Sequence, residues 1–322
     1  MTTTTLQVRL RQIRLEAAGI ASYEFVSATD AELPPFDSGA HIDLHLPQGM
    51  IRSYSLVNAP SQRGTYLIAV QREADGQGGS AWMHTTPRVG DLFVIGAPQN
   101  DFALSEHAAL SVFVAGGIGI TPIMSMLRRL TALGRPWRLH YAARSPAQAA
   151  YVDELRALAA QCDPGSGRAE FCFSSTRSRR LDLAAIAADA PADAHLYCCG
   201  PGAMIDAFQS ACAGRAPAQV HCERFSASAA ADTAGGFDLL LERSGQRITV
   251  QPGKTILETL LDNAVDVSYA CSAGVCGTCI TPVVDGIPEH RDDYLTADEK
   301  AQNRSIMVCC SGSRSPTLVL DL

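Results

Sequence analysis

The sequence predicts a three-part fold: an antiparallel β-barrel or sandwich, then a parallel α/β sheet, then a compact unit built around four cysteines. Three observations carry this. Short alternating strands with frequent turn residues fill the first hundred positions, and apolar strands separated by helix-length segments follow from about Ala109. Near the end, Cys271, Cys276, Cys279 and Cys309 are spaced C-x4-C-x2-C-x29-C. At 322 residues the chain is long enough for two or three domains, each burying its own core.

In the first part the strands read as Leu6 to Leu10, Ile42 to Leu46, Ser53 to Val57, Tyr66 to Val70 and Phe93 to Ile95. In the second they read as Leu110 to Ala115, Arg138 to Ala143, Ala169 to Ser174 and His195 to Cys199, with Ile123 to Leu130 as a helix. Ser226 to Gly236 is a run of small residues without apolar period, the composition of a flexible linker. Beyond it come strands Asp238 to Glu242 and Arg247 to Val250 and a helix over Thr255 to Asn263. These boundaries divide the chain into residues 1–105, 106–225, a linker at 226–236, and 237–322.

Composition narrows the function. The net charge of −7 argues against a partner held by nucleic-acid phosphates. No run of eighteen apolar residues occurs, and Met1 to Leu15 lacks a signal-peptide core, so a cytoplasmic protein is expected. The odd count of 11 cysteines, scattered along the chain, fits a reducing compartment. From Phe237 onward twelve Asp and Glu face seven Lys and Arg. That acidic surplus suits a basic redox partner, and equally a solvated surface.

The cysteine spacing is that of a plant-type 2Fe-2S cluster. Three thiolates on one short loop require tight turning, which Gly274 and Gly277 allow. Structural zinc is the competing reading, but Cys276 and Cys279 have no second C-x2-C or His pair to complete it. Cys310 follows Cys309 directly, so the fourth ligand is ambiguous by one residue, and spacing favours Cys309.

Two further motif groups concern nucleotides. Arg52-Ser53-Tyr54-Ser55-Leu56 lies on a predicted strand, with Arg52, Tyr54 and Leu56 on one face. Gly78-Gly79-Ser80 opens an apolar-periodic segment, a setting that cradles a phosphate or serves as a plain N-cap turn. Gly116-Gly117-Ile118-Gly119-Ile120-Thr121-Pro122 joins an apolar strand to a helix, although it departs from G-x-G-x-x-G. Cys199-Gly200-Pro201 ends another apolar strand, where open α/β sheets bind ligands.

In this order the motifs RSYSL, GGS, GGIGITP, CCGP and CSAGVCGTC resemble the phthalate dioxygenase reductase family over essentially the whole chain. The resemblance implies an antiparallel β-barrel flavin domain, an α/β parallel-sheet nucleotide domain and an α+β β-grasp plant-type ferredoxin domain. It implies FMN, a 2Fe-2S cluster on Cys271, Cys276, Cys279 and Cys309, and NADH, with NADPH also credible. Arg52 would hold the flavin phosphate, Gly79 and Ser80 would complete that site, and Ser53 and Gly78 are counted with them as cofactor-binding residues. Tyr54 would pack on the isoalloxazine, Ser55 would approach its N5, and Ala69, Val70, Gln71 and Thr121 would border it. Gly116, Gly117, Gly119 and Pro122 would shape the pyridine-nucleotide loop, and Cys199, Gly200 and Pro201 the nicotinamide end. Glu223 and Phe225 match a carboxylate and a ring that the family places against the flavin. Ser55, Cys199 and Glu223 are the candidates for the catalytic centre.

The implied activity is hydride transfer from NAD(P)H to FMN and single-electron delivery through the cluster to a terminal oxygenase of the Rieske type. Its substrate would be an aromatic acid such as phthalate or vanillate. A monomer is expected. Arg144-Ser145 follows the second strand of the middle domain and Ser174 to Arg177 the third, and neither stretch contains an acid, which keeps NADPH in play. Two other readings stay open: a cluster-based redox sensor, and direct reduction of a small acceptor.

Overall fold

The computed structural model describes residues 5–29, 31–73, 78–175, 180–225, 227 and 229–322. The chain forms two compact units, Met1–Arg224 and Phe225–Leu322.

The first unit begins with β1 (Thr5–Ala17), β2 (Ile20–Ser27), β3 (His41–His45), β4 (Ile51–Ser55), β5 (Thr65–Gln71), helix α1 (Gly79–Thr85) and β6 (Leu92–Gly96). The six strands pair antiparallel in the order β4-β3-β6-β1-β2-β5. Immediately after β4, Leu56 N–H donates to Ala40 O at 2.8 Å and Val57 N–H to Leu67 O at 2.7 Å. The second bond joins the two end strands, so the sheet closes on itself as a barrel. This departure explains why β4 spans Ile51–Ser55 and not Ser53 to Val57: Leu56 and Val57 are both fully buried, and strict alternation fails beyond Ser55. Leu10, Phe25, Ile42, Leu44, Leu56 and Ile68 fill the interior. β2 was not expected from the sequence, because it follows β1 after a two-residue turn at Ala18 and Gly19 and its residues read without clear alternation.

Five parallel strands complete this unit: β7 (Ser111–Gly116), β8 (Trp137–Ala143), β9 (Gly167–Phe173), β10 (His195–Cys199) and β11 (Val220–Glu223). They alternate with helices α2 (Ile120–Ala132), α3 (Val152–Gln161), α4 (Leu183–Asp189) and α5 (Gly202–Ala211). The strand order is β11-β10-β7-β8-β9. The chain runs outward from β7 through β9 and then returns to lay β10 on the other side of β7. The topological switch point therefore lies between β7 and β10, where such sheets open a crevice at their carboxyl ends. Barrel and sheet are clasped by charge. Glu154 on α3 takes Arg14 of β1 on one oxygen and Arg128 of α2 on the other, each at 2.7 Å, and Arg128 also donates to Val57 O at 2.9 Å.

The second unit contains β12 (Phe237–Leu241), β13 (Arg247–Val250), helix α6 (Ile256–Asp262), β14 (Ile280–Asp285), β15 (Pro288–Glu289), helix α7 (Ala297–Gln302), β16 (Ser305–Met307), β17 (Gly312–Ser313) and β18 (Thr317–Leu320). The main sheet has the order β13-β12-β18-β14-β16, with β12 and β18 parallel, and α6 supplies Ile256, Leu257 and Leu260 to the core beneath it. Both helices start with a reciprocal capping box, Thr255 with Glu258 and Thr296 with Glu299. The small-residue stretch that reads as a loose linker is tied down where it is described. Ala227 N–H donates to Ala273 O at 2.8 Å and Asp232 N–H to Cys310 O at 2.7 Å, while Ser226 and Ser228 lie outside the described residues. Composition could not reveal this, because the bonds use only backbone groups.

Candidate functional site

At the barrel, Arg52 on β4 lies beside the first turn of α1. A Cβ on Gly79 would sit 3.2 Å from Arg52 Cγ and 3.3 Å from its Nε, so the missing side chain is what admits the arginine. Helix-start N–H groups without intrahelical partners next to a guanidinium make a setting for phosphate. Gly78 caps the helix in the left-handed region at φ 89°. Glu73 N–H donates to Ser80 Oγ at 3.1 Å, and His84 Nε2 lies 2.9 Å from Val70 O, which ties α1 to the end of β5. Ala69 and Val70 are buried there and Gln71 is exposed. Burial pushes the Tyr54 hydroxyl up to about 12, with the charges of Arg52 and Glu73 in reach, so the ring stays neutral. Ser53 donates to buried Asp43 at 2.5 Å and is engaged within the barrel. Ser55 is buried opposite His41 of β3.

At the switch point the two glycine loops touch. A Cβ on Gly116 would meet Pro201 Cδ at 2.7 Å and Met204 Sδ at 2.9 Å, and one on Gly119 would meet Cys199 O at 2.2 Å. Gly200 lies against Gly116 in the same way, its own missing Cβ 3.1 Å from Gly116 Cα. Gly117 is left-handed at φ 57° with nothing within 4 Å of its Cβ position, so its backbone borders open space. This is the geometry a pyrophosphate needs for close approach to backbone. Thr121, buried, spends its hydroxyl on Ile118 O at 2.9 Å, and Pro122 occupies the first turn of α2.

Beside this loop, Cys199 and Glu223 are register partners on β10 and β11, and the buried Cys199 thiol faces Glu223 Oε2 at 3.7 Å. Crowding of protein around the carboxyl raises Glu223 to about 8, so it is protonated at neutral pH although part of the residue keeps solvent contact. Burial, with Glu223 next to it, holds the Cys199 thiol well above its ordinary value. Phe225 opens the second unit and is 40% exposed.

In the second unit Cys271, Cys276 and Cys279 lie on the loop between α6 and β14, and Cys309 and Cys310 come just after β16. Cys271 Sγ accepts from Ala273 N–H at 3.3 Å. Cys279 and Cys309 are buried, Cys271 and Cys276 partly so. Among the described residues no three potential ligands are grouped about a single metal ion. A 2Fe-2S core distributes its four thiolates over two irons, so this donor set fits it. Both loop glycines are left-handed and confined: a Cβ on Gly274 (φ 73°) would lie 2.8 Å from Cys310 Sγ, and one on Gly277 (φ 77°) 2.2 Å from the Tyr294 ring.

Several of these neighbours are invisible to motif reading. Tyr294 is half-exposed over Gly277, Met204 backs the nucleotide loop, and Asp292 is buried beside Gly274 while accepting from Leu295 N–H at 2.8 Å. The only sequence trace of Tyr294 is the glycine it lies against. A hollow of about 630 Å³ lies over β8 and β9, lined by Arg138, His140, Arg168 and Glu170, away from both glycine loops.

With this geometry in hand, comparison with known proteins is direct. Residues 239–312 match the 2Fe-2S iron-sulfur cluster binding domain family, and residues 113–210 the oxidoreductase NAD-binding domain family. The chain is 48% identical to phenoxybenzoate dioxygenase subunit beta of Ectopseudomonas oleovorans, over 98% of this chain and 97% of that protein. It is 45% identical to tetrachlorobenzoquinone reductase of Sphingobium chlorophenolicum, covering 99% and 98%. Among solved structures it matches phthalate dioxygenase reductase, described as a modular structure for electron transfer from pyridine nucleotides to [2Fe-2S], with a TM-score of 0.82, 35% identity, and 99% and 98% coverage.

Proposed function

The chain belongs to the phthalate dioxygenase reductase family, and on that premise we propose that it is the reductase component of an aromatic-compound oxygenase, fuelled by NAD(P)H. Bound FMN supplies the conversion from hydride to single electrons, and the 2Fe-2S cluster supplies the one-electron exit. The residues do the rest. Arg52 and the start of α1 would anchor the flavin phosphate, with Tyr54 and Ser55 following along β4 beside the ring. The Gly116 to Gly119 and Cys199 to Pro201 loops would hold the nucleotide across the switch point. Glu223, protonated at neutral pH, adds no negative charge beside the hydride path and can donate a hydrogen bond there.

The domain boundaries that accompany this reading are residues 1–105 for flavin, 106–225 for nucleotide, 226–236 as connector and 237–322 for the cluster. No helix among the described residues is long and apolar enough to cross a membrane, and reduced nucleotide with unpaired thiols suits the cytoplasm. An aromatic acid is the preferred substrate of the partner, because relatives are named for phenoxybenzoate, vanillate, 3-chlorobenzoate and phthalate.

The observation that carries the proposal is a four-cysteine loop region matching the 2Fe-2S domain family over residues 239–312, in a chain that also holds a switch-point crevice within a match to the NAD-binding domain family. The test is Cys276→Ser. Partner-supported oxygenation is expected to vanish while ferricyanide reduction by the flavin persists, and retained oxygenation would sink the reading. A second reading, direct reduction of a small quinone-like acceptor, is favoured by the 45% identity to tetrachlorobenzoquinone reductase. The same variant separates the two, because direct flavin reduction of a quinone survives loss of the cluster.

A further inference from the structure

We propose that Asp292 sets the reduction potential of the 2Fe-2S cluster, as a buried carboxylate held at the junction of the two segments that carry the cluster cysteines. The inference rests on the reductase reading and adds to it a residue that the cysteine spacing does not reveal. Asp292 lies between β15 and α7, and its side chain is 0% exposed. On one side is Gly274, inside the Cys271 to Cys279 loop: a Cβ there would be 3.3 Å from Asp292 Cα, and Asp293 N–H donates to Gly274 O at 3.0 Å. On the other side Ser311, buried and two residues after Cys309, donates through Oγ to Asp292 Oδ1 at 3.5 Å. The same Gly274 position is 2.8 Å from Cys310 Sγ, so both cysteine segments and Asp292 meet at one point.

Reduction adds one electron to the cluster and hence one negative charge, which a carboxylate fixed nearby in a low-dielectric setting opposes. The compensation around Asp292 is incomplete. Lys300 on α7 places Nζ 3.7 Å from Oδ2 and also donates to the Asp292 carbonyl, but its side chain is 29% exposed, so water shares its charge. His290 Nδ1 is 3.6 Å from Oδ1, too far for a hydrogen bond, and neither of its ring nitrogens has a hydrogen-bond partner among the described residues. Arg291 is turned to Glu289 at 2.8 Å. Leu295 N–H, donating to Oδ2 at 2.8 Å, fixes the carboxylate in place without cancelling its charge. Asp292 and Lys300 therefore act in opposite directions: the carboxylate holds the potential down and the ammonium raises it. A lower potential makes the reduced cluster the stronger electron donor to the partner oxygenase.

The test is a dithionite titration of the full chain at one pH, read by the electron paramagnetic resonance signal of the reduced cluster, which needs neither nucleotide nor partner. Asp292→Asn keeps the shape and the acceptor for Leu295 N–H while removing the charge. Its equilibrium constant for cluster reduction is expected to rise about tenfold, an upward shift of about 59 mV for a one-electron couple. Lys300→Gln is expected to lower the same constant by about threefold, the smaller effect of a partly exposed charge, and Lys300→Arg to leave it in place. Iron and sulfide per chain are expected to stay at the wild-type value. A merely structural role would loosen the site in both charge-removing variants and could not give shifts of opposite sign. An unmoved potential in Asp292→Asn, or shifts of the same sign in Asp292→Asn and Lys300→Gln, overturns the proposal and leaves the reductase reading standing. If Asp292→Asn loses its cluster, the sign of the Lys300→Gln shift decides. If the wild-type chain takes up no 2Fe-2S cluster, the reductase reading falls and the proposal with it.

Discussion

The position where Gly119 would carry a Cβ lies 2.2 Å from the carbonyl oxygen of Cys199, so the two loops that border the switch-point crevice are in backbone contact. Neither side can yield as a flexible side chain does. Gly119→Ala is therefore expected to lower stability by about 1–3 kcal/mol, as overpacking does. It is also expected to slow flavin reduction by roughly 100-fold, the penalty of a misplacement near 1 Å. Thermal unfolding and anaerobic stopped-flow absorbance check the two arms, and an unchanged hydride-transfer rate would mean the loops move independently of the nucleotide.

Gly277 makes the same kind of contact with a softer neighbour. Its φ of 77° and the Tyr294 ring 2.2 Å from a built Cβ give Gly277→Ala two penalties, backbone strain and overlap. The first is about 1–2 kcal/mol for the left-handed region. The variant is expected to be purified with less iron and sulfide per chain. Adding Tyr294→Ala relieves only the overlap, so iron content is expected to recover in part, and full recovery would show that the backbone conformation is unimportant.

Glu223 gives stability a pH dependence whose sign follows from its pKa of about 8 in the fold against an ordinary 4.5. Between those values the folded protein holds a proton that the unfolded chain has released. This contribution is fully present below about pH 4.5 and is lost as pH rises through about 8. The slope from this one group approaches about 1.4 kcal/mol per pH unit within the window. Glu223→Gln keeps the neutral shape and removes the slope, which urea unfolding at several values between pH 5 and 8 measures. The same decline in wild type and variant would place the titration elsewhere.

Glu154 joins the barrel to the sheet through two arginines at once. Because the carboxylate is partly exposed, Glu154→Gln is expected to destabilise by only about 1 kcal/mol, and less at high salt. The sharper readout is the flavin-reduction rate, which is expected to fall severalfold as barrel and sheet loosen. A salt-independent loss of stability would exclude an ionic clasp.

The strand β10 was legible to the residue, His195 to Cys199, because a buried parallel strand is an unbroken apolar run bounded by a glycine loop. β4 was displaced by two residues because Leu56 and Val57, which look like a continuation, leave the strand to close the barrel. The thiols of Cys271 and Cys276 announce themselves by spacing, and Gly116 and Gly119 by their place between strand and helix. Their partners do not. Cys199 is eighty residues from Gly119, and Tyr294 is seventeen from Gly277, so each contact exists only after the chain has folded. The small-residue stretch misled for a related reason, since what anchors Asp232 to Cys310 is a peptide bond's own hydrogen-bonding group, which every residue but proline carries.

The two capping boxes of the C-terminal unit bear on how the protein is matured. Thr255 with Glu258 and Thr296 with Glu299 fix the helix starts through groups that are not cluster thiols. Small zinc domains, in contrast, have no fold until the metal arrives. Here the starts of α6 and α7 are specified by side chains that need neither iron nor sulfide, so this part of the unit's folding does not wait on delivery of the cluster.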